Sequence, residues 1–364
     1  MEQQIYFAGA HTSAGYRDLI ESNLTGLKHI FLLEGSTSEQ RSLYIQHFFE
    51  KWRSLGEKFE LLLNSLNPDR FTGVINRRLG CAIIDYAEHS SYQPQALGER
   101  ERIINLSKQF KHKNQQDHHN IIRLQQCKNK MIKHAHSAFK TGLDIHDDLE
   151  AIFINAMDFK KADLVAEQLI EEVFTDQTSR NDNAEQFHRF LGASTANGVV
   201  DYIDQLTEPL QKRYLIKGRA GSGKSTLLRK IVAEAEKRHY STEIYHCGFD
   251  PDSLDMVIIR ELGMAIFDST APHQYEPSRH ADQLVDLYQT TISPGTDEKY
   301  QEQISQLTTQ YRSFIQQGIK YLAEAVKSNK KLEAIEKKYL EPNLATEQFE
   351  EFTDLVEKTL SDNN

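Results

Sequence analysis

Along the second half of the chain, short apolar runs alternate with longer segments in which apolar residues recur every three or four positions. Residues 213–217 (Arg-Tyr-Leu-Ile-Lys), 243–247 (Glu-Ile-Tyr-His-Cys) and 264–267 (Met-Ala-Ile-Phe) have the length of buried strands, and helical spacing fills 225–238. Strands apolar on both alternating faces belong in a sheet covered on both sides. The pattern therefore predicts an α/β domain on a parallel sheet, with ligands at the carboxyl ends of its strands. A small-residue strand at 190–193 and a helix at 199–206 precede it. Beyond Asp268 the character changes: from about 281 to 362 nothing predicts a strand, and helical spacing dominates 300–326, 332–340 and 349–360. The sheet is expected to be followed by a long helical arm.

Sliding the sequence on itself by 183 residues shows that the first half repeats the second. Phe7, Gly9, Ala10 and Thr12 fall on Phe190, Gly192, Ala193 and Thr195, and Gly35 and Ser42 fall on Gly218 and Ser225. Pro68-Asp69, Val74-Ile75 and Leu79-Gly80 meet Pro251-Asp252, Val257-Ile258 and Leu262-Gly263. Between residues 7 and 85 there are 22 identities in 79 gap-free positions. Far downstream, Leu149-Glu150-Ala151-Ile152 meets Leu332-Glu333-Ala334-Ile335. The chain is expected to be a tandem duplication, with units 1–183 and 184–364, each a sheet of about four strands and a helical arm. The first arm should span about 99–174, and the polar stretch 175–186 is the expected linker.

Composition narrows the function classes. A net charge of −10 over 364 residues argues against general affinity for nucleic acid, which is bound chiefly by neutralising phosphates. One segment runs against the average. Between 108 and 140, Lys108, Lys111, Lys113, Arg123, Lys128, Lys130, Lys133 and Lys140 face only Asp117, which would suit an acidic or nucleic-acid partner. Three widely spaced cysteines fit a reducing compartment. The first residues have neither a basic nor an apolar leader pattern, and no apolar run approaches the roughly 18 residues that span a bilayer. The expectation is a soluble, cytoplasmic protein.

The strongest chemical signal is Gly218-Arg219-Ala220-Gly221-Ser222-Gly223-Lys224-Ser225-Thr226, a complete G-x-x-x-x-G-K-[ST] between a strand and a helix. Glycines let the backbone turn so that successive N–H groups face an anion, and the following helix adds its positive dipole end. Lys224 should reach the β and γ phosphates of a nucleoside triphosphate, and Ser225 should hold Mg²⁺. Asp268, ending an apolar strand, is the first candidate for the Mg²⁺-associated acid, and Asp250, just past another strand, the second, for orienting water. In the first half the loop reads Gly35-Ser36-Thr37-Ser38-Glu39-Gln40-Arg41-Ser42, with two glycines lost, a carboxylate gained and arginine for lysine. No triphosphate binding is expected there. Arg279 and Arg312 are weaker candidates for an arginine finger. Neither His246, Cys247 and His273 nor His118, His119, Cys127, His134 and His136 has the paired spacing of a zinc site.

The loop, the block His246-Cys247-Gly248-Phe249-Asp250-Pro251-Asp252-Ser253-Leu254-Asp255 and the run Ile266-Phe267-Asp268-Ser269-Thr270-Ala271-Pro272-His273 together resemble a bacterial family of tandem P-loop ATPases. The resemblance covers nearly the whole chain. It implies two tandem P-loop NTPase units, with ATP and Mg²⁺ as ligands. Relatives with both loops intact are part of that pattern, and Ser38, Gln40 and Arg41 depart from it. The expected function is an ATPase whose second half hydrolyses MgATP beside a degenerate first half. The alternatives are a small-molecule or nucleotide kinase, and a non-catalytic ATP-dependent switch whose arms meet a protein partner. The absence of an N-K-x-D pattern favours ATP over GTP.

Overall fold

A computed structural model describes residues 3–175, 177, 179, 183–271 and 274–361. The first half runs β1 (Gln3–Tyr6), β2 (Gly9–Thr12), β3 (Gly15–Asp18), α1 (Ile20–Asn23), β4 (His29–Glu34), α2 (Ser38–Ser54), β5 (Phe59–Leu63), β6 (Phe71–Asn76), β7 (Cys81–Asp85), β8 (Glu101–Asn105), α3 (Gln115–Ile154) and α4 (Phe159–Phe174). The second half continues with β9 (Gln186–Phe190), β10 (Gly192–Thr195), β11 (Gly198–Asp201), α5 (Ile203–Thr207), β12 (Lys212–Lys217), α6 (Lys224–Lys237), β13 (Thr242–His246), β14 (Leu254–Ile259), β15 (Met264–Asp268), β16 (Asp282–Asp286), α7 (Leu287–Thr291), α8 (Thr296–Lys299), α9 (Gln301–Lys337) and α10 (Pro342–Ser361).

Two six-stranded sheets result, β1-β5-β6-β7-β4-β8 and β9-β13-β14-β15-β12-β16, with the same strand order element for element. The fold is α/β, but the sheets are mixed where a parallel sheet was expected. β6 runs antiparallel to β5 and β7, and β14 antiparallel to β13 and β15. Asp252, Ser253 and Asp255 are residue types that cap helices, yet Leu254–Ile259 is a buried strand, entered by the short turn after β13. The segment 281–362 does contain one strand, β16, and the first arm's expected span likewise opens with β8. Helix α5 begins after the hairpin β10–β11, which takes up the first residues of the expected 199–206 helix. The strand expected at 190–193 is split: β9 forms the edge of the second sheet, whereas β10 leaves it. Part of the expected linker lies outside the described residues.

Alternate residues of the central strands feed different cores, which is why these strands are apolar throughout. Ile30 and Leu32 of β4 join Leu215 of β12 and Ala265 and Phe267 of β15 in one cluster shared by both halves, together with Ile20 of α1 and Ile203 of α5. Phe31 and Leu33 face the other way, onto α2. The outer layer of that face comes from the opposite end of the chain: α10 lays Phe352 and Val356 against Phe31, Tyr44 and Phe48, with Phe349 and Leu360 flanking. Reciprocally, α4 of the first half packs Ala166, Leu169 and Val173 against Tyr214, Ile216, Leu228 and Ile231 of the second. Each half thus covers the other's sheet with its last helix.

Helices α3 and α9 cross between them as an antiparallel pair, about 60 Å long at the rise of an α-helix. Asn114 and Asp117 meet Tyr339 at one end, Lys128 meets Asn329, and Leu149 and Phe153 share a cluster with Ile304 and Leu307 at the other. Near the middle Ala135, Phe139 and Leu322 pack together. Repeat-related hydrogen bonds, Ser13 N–H to the Phe249 carbonyl and Ala196 N–H to that of Leu66, tie the halves again. Among the described residues no helix is long and apolar enough to cross a membrane.

Candidate functional site

Strand β12 has parallel neighbours on both sides, β15 and β16, so residues 218–223 leave the carboxyl edge of the sheet beside the end of β15. The glycines there are required by geometry. Gly221 and Gly223 have φ of +73° and +86°, and a Cβ on Gly218 would lie 2.2 Å from Ser222 Oγ. The loop is braced from within: Ser222 Oγ donates to the Arg219 carbonyl at 2.8 Å, and Gly218 N–H donates to Thr270 Oγ1 at 3.2 Å. Gly223 caps α6, whose first residue is Lys224.

Lys224 Nζ donates to the Arg219 carbonyl at 2.8 Å and lies 3.5 Å from Asp268 Oδ2. The lysine and the strand-end acid chosen from sequence are therefore neighbours, although 44 positions separate them in the chain. Ser225 is differently placed. Its hydroxyl accepts from Leu254 N–H at 3.0 Å and from Arg229 Nη1 at 2.8 Å, so both lone pairs are engaged and a cation there requires Arg229 to move. Arg219 turns outward to Asp297 at 2.6 Å, and Thr226 is exposed. Asp250 accepts from Asp252 N–H in the turn after β13.

The carboxyl end of α3, from the first half, lies on this loop. The Glu150 carbonyl oxygen is 2.6 Å from where a Cβ on Gly221 would stand, and Ile154 Cγ1 is 3.0 Å away. Gly221 N–H is near enough to the Glu150 carboxylate to favour its charge slightly. Ala220 packs beside Leu149, Ile152 and Phe153. Burial, then Asp147, pushes the Glu150 carboxyl up against the pull of Lys224. Burial and the Lys224 charge hold His146 down, while burial and Asp250 raise Asp147. His146, Asp147 and Glu150 each bring one atom suited to a metal within 4.8 Å of the others.

The corresponding connection of the first half is built differently. Three residues, 35–37, join β4 to α2, against six, 218–223, in the second half. Helix α2 begins at Ser38, the position of Gly221, capped by Thr37 accepting from Gln40 N–H at 3.1 Å. Arg41 and Asp85, the counterparts of Lys224 and Asp268, form a buried ion pair at 2.6 Å. Glu333 of α9, the counterpart of Glu150, lies beside Thr37 and Glu39 at the start of α2, with Arg70 3.6 Å from its carboxylate.

Other residues singled out from the sequence do not converge here. Arg279 donates to the Thr207 carbonyl at 2.8 Å, and Arg312 is exposed on α9. His246 is paired with His188 at 2.9 Å and with the Pro251 carbonyl at 2.7 Å, Cys247 is held protonated by burial, and His273 lies outside the described residues. His136 meets His11 at 3.0 Å, His134 meets Tyr321 edge to face, and Cys127 faces Ser328, while His118 and His119 adjoin each other near the start of α3. Half of the basic segment has partners: Lys111, Lys113 and Lys140 are in ion pairs and Lys128 turns to Asn329 on α9, while Lys108, Arg123, Lys130 and Lys133 are exposed. Glu150 was missed because it stands on a helix remote from the loop in sequence. Its one signal was the repeated Leu-Glu-Ala-Ile.

No family model, no curated protein and no solved structure matches the chain.

Proposed function

We propose that the second half binds a nucleoside triphosphate, ATP by preference, with Mg²⁺ and hydrolyses it, and that the first half is a non-binding partner. The observation that carries this reading is the glycine-dependent loop at the strand edge with Lys224 beside Asp268. The positive-φ glycines and the absence of any β-carbon at Gly218 are what an anion cradle of backbone N–H groups requires. In this reading the chain is a tandem pair of P-loop NTPase units, split near 183, of which one retains the cradle.

Lys224 would exchange its bond to the Arg219 carbonyl for phosphate oxygens and stabilise charge on the transferring group. Ser225, once released from Arg229, and Asp268 would hold Mg²⁺, which when bound neutralises charge on the β and γ phosphates. Asp250 would orient the attacking water. An acceptor screen separates hydrolysis from phosphoryl transfer to a small molecule. A second reading, the ATP-dependent switch, draws support from the first half's arm lying on the loop: a nucleotide there must act on α3.

Calorimetric titration of a slowly hydrolysed ATP analogue with Mg²⁺ tests the proposal. One site per chain, lost in Lys224→Ala, is expected. No heat from the wild type and none from a variant in which the carboxyl end of α3 is detached from Gly221 would end the nucleotide reading.

A further inference from the structure

The same glutamate stands at both loops, and each time it comes from the opposite half. The Glu150 carbonyl oxygen of α3 stands 2.6 Å from where a Cβ on Gly221 would be, and Glu333 of α9 lies beside Thr37 and Glu39 at the start of α2. These residues belong to the repeated Leu-Glu-Ala-Ile, so the contact is a property of the duplicated arm. It persists in the first half, where three residues replace the loop and no cradle remains.

At the intact loop this contact stands where a triphosphate would go. The Glu150 carboxylate stands in the neighbourhood of the Gly221 N–H that an anion cradle needs, so a phosphate oxygen arriving there meets its negative charge. The main chain of α3 is against Gly221 as well, closer than any residue with a Cβ would allow. Helix α3 ends at Ile154, so its negative dipole end also points at the phosphate position. Asp147 and Asp250 add carboxylates to the same neighbourhood, against Lys224. Apolar contacts of Ala220 with Leu149, Ile152 and Phe153 fix the helix in place.

We propose that Glu150 and the carboxyl end of α3 form a stopper on the phosphate loop, supplied in trans by the first half, and that nucleotide enters only when this end of the arm lifts from Gly221. The inference rests on the nucleotide reading of the loop and adds its regulation. Because α3 is clasped along its length by α9, lifting one end strains the pair that also holds Glu333 at the other half. The degenerate half then acts through its arm, and its lost loop is no handicap to that role.

The test uses the full chain and the slowly hydrolysed ATP analogue with Mg²⁺. If a closed state lowers the apparent affinity, removing the stopper's charge returns that factor, so Glu150→Gln should bind about tenfold more tightly than wild type. Glu333→Gln, the same change at the other loop, should leave binding unaltered. Equal or weaker binding by Glu150→Gln overturns the stopper while the nucleotide reading stands. Absence of binding in wild type, Glu150→Gln and Glu150→Ala alike overturns both. A nucleotide-free measurement tells these failures apart: in protein labelled with ¹⁵N-glycine, the Gly221 amide resonance should move in Glu150→Gln and stay in Glu333→Gln. An unmoved Gly221 resonance overturns the stopper whatever the nucleotide result.

Discussion

Arg189 shows how one residue can join two halves that are copies of each other. Its guanidinium is buried between Glu60, at 2.8 Å, and Glu243, at 3.3 Å, and these two glutamates are themselves repeat-related. Arg77 and Arg260, another related pair, hold the outer sides of the glutamates at 2.5 and 2.6 Å. The position equivalent to Arg189 is Tyr6, whose ring lies under the guanidinium at 4.0 Å and whose hydroxyl donates to Glu60 at 2.5 Å. A cation and an aromatic ring, which stack, have taken the place of two identical side chains. Burial disfavours the charge on both glutamates, but Arg189 is the leading opposing influence on each, and both carboxyls stay below their ordinary range. Removing that cation while the carboxylates remain buried costs about 3 to 5 kcal/mol in comparable cases. Arg189→Met should therefore lower the urea midpoint by that equivalent, and Arg189→Lys should recover less than half, because an ammonium lacks the fork that reaches both partners. A loss below about 1 kcal/mol would mean that Arg77 and Arg260 neutralise the glutamates unaided.

At the scale of elements the α3–α9 pair is the most exacting contact. Gly318 of α9 and Ala135 of α3 are repeat-related, as are Leu322 and Phe139. The larger ring forced the smaller partner: a Cβ on Gly318 would stand 2.3 Å from Phe139 Cε1, and that ring is fully buried. In an open helix Gly→Ala gains up to about 1 kcal/mol. Here the clash reverses the sign, and Gly318→Ala should destabilise by about 1 to 3 kcal/mol, with Phe139→Leu restoring most of it in the double variant. Thermal unfolding of the three variants checks this, and a stabilised single variant would show that the ring shifts freely. Why some elements were legible and others not follows from the range of the forces that specify them. The glycine loop between β12 and α6 was readable because its glycines, lysine and flanking elements are contiguous. β14 was not, since Asp252 and Asp255 satisfy a helix cap as well as a strand entry. β16 was hidden by its aspartates, and the antiparallel turn of β14 depends on pairing between strands. Glu150 could be placed only once α3 was known to cross to the other half.

For the whole molecule, the sequence repeat and the packing divide the chain differently. The repeat divides it near 183, yet a cut there strips Phe352 and Val356 from the first sheet and Ala166, Leu169 and Val173 from the second. It also opens the apolar cluster that both sheets share. The stripe on α10 would fit either sheet by its spacing, because duplicated sheets present similar faces, which is why crossing was not legible in the sequence. At about 2 kcal/mol for each large side chain exposed, the loss from the terminal helices alone approaches the stability of an ordinary domain. Residues 1–183 and 184–364 expressed separately should therefore be insoluble or should bind a hydrophobic dye without a cooperative unfolding transition. Expressed together they should associate one to one, since every contact that crosses the cut is noncovalent, and their complex should unfold cooperatively. Analytical ultracentrifugation and calorimetry of the co-expressed pair decide it. Two independently folded monomers would mean that each terminal helix can turn back onto its own sheet, and the stopper would then have to be supplied in cis.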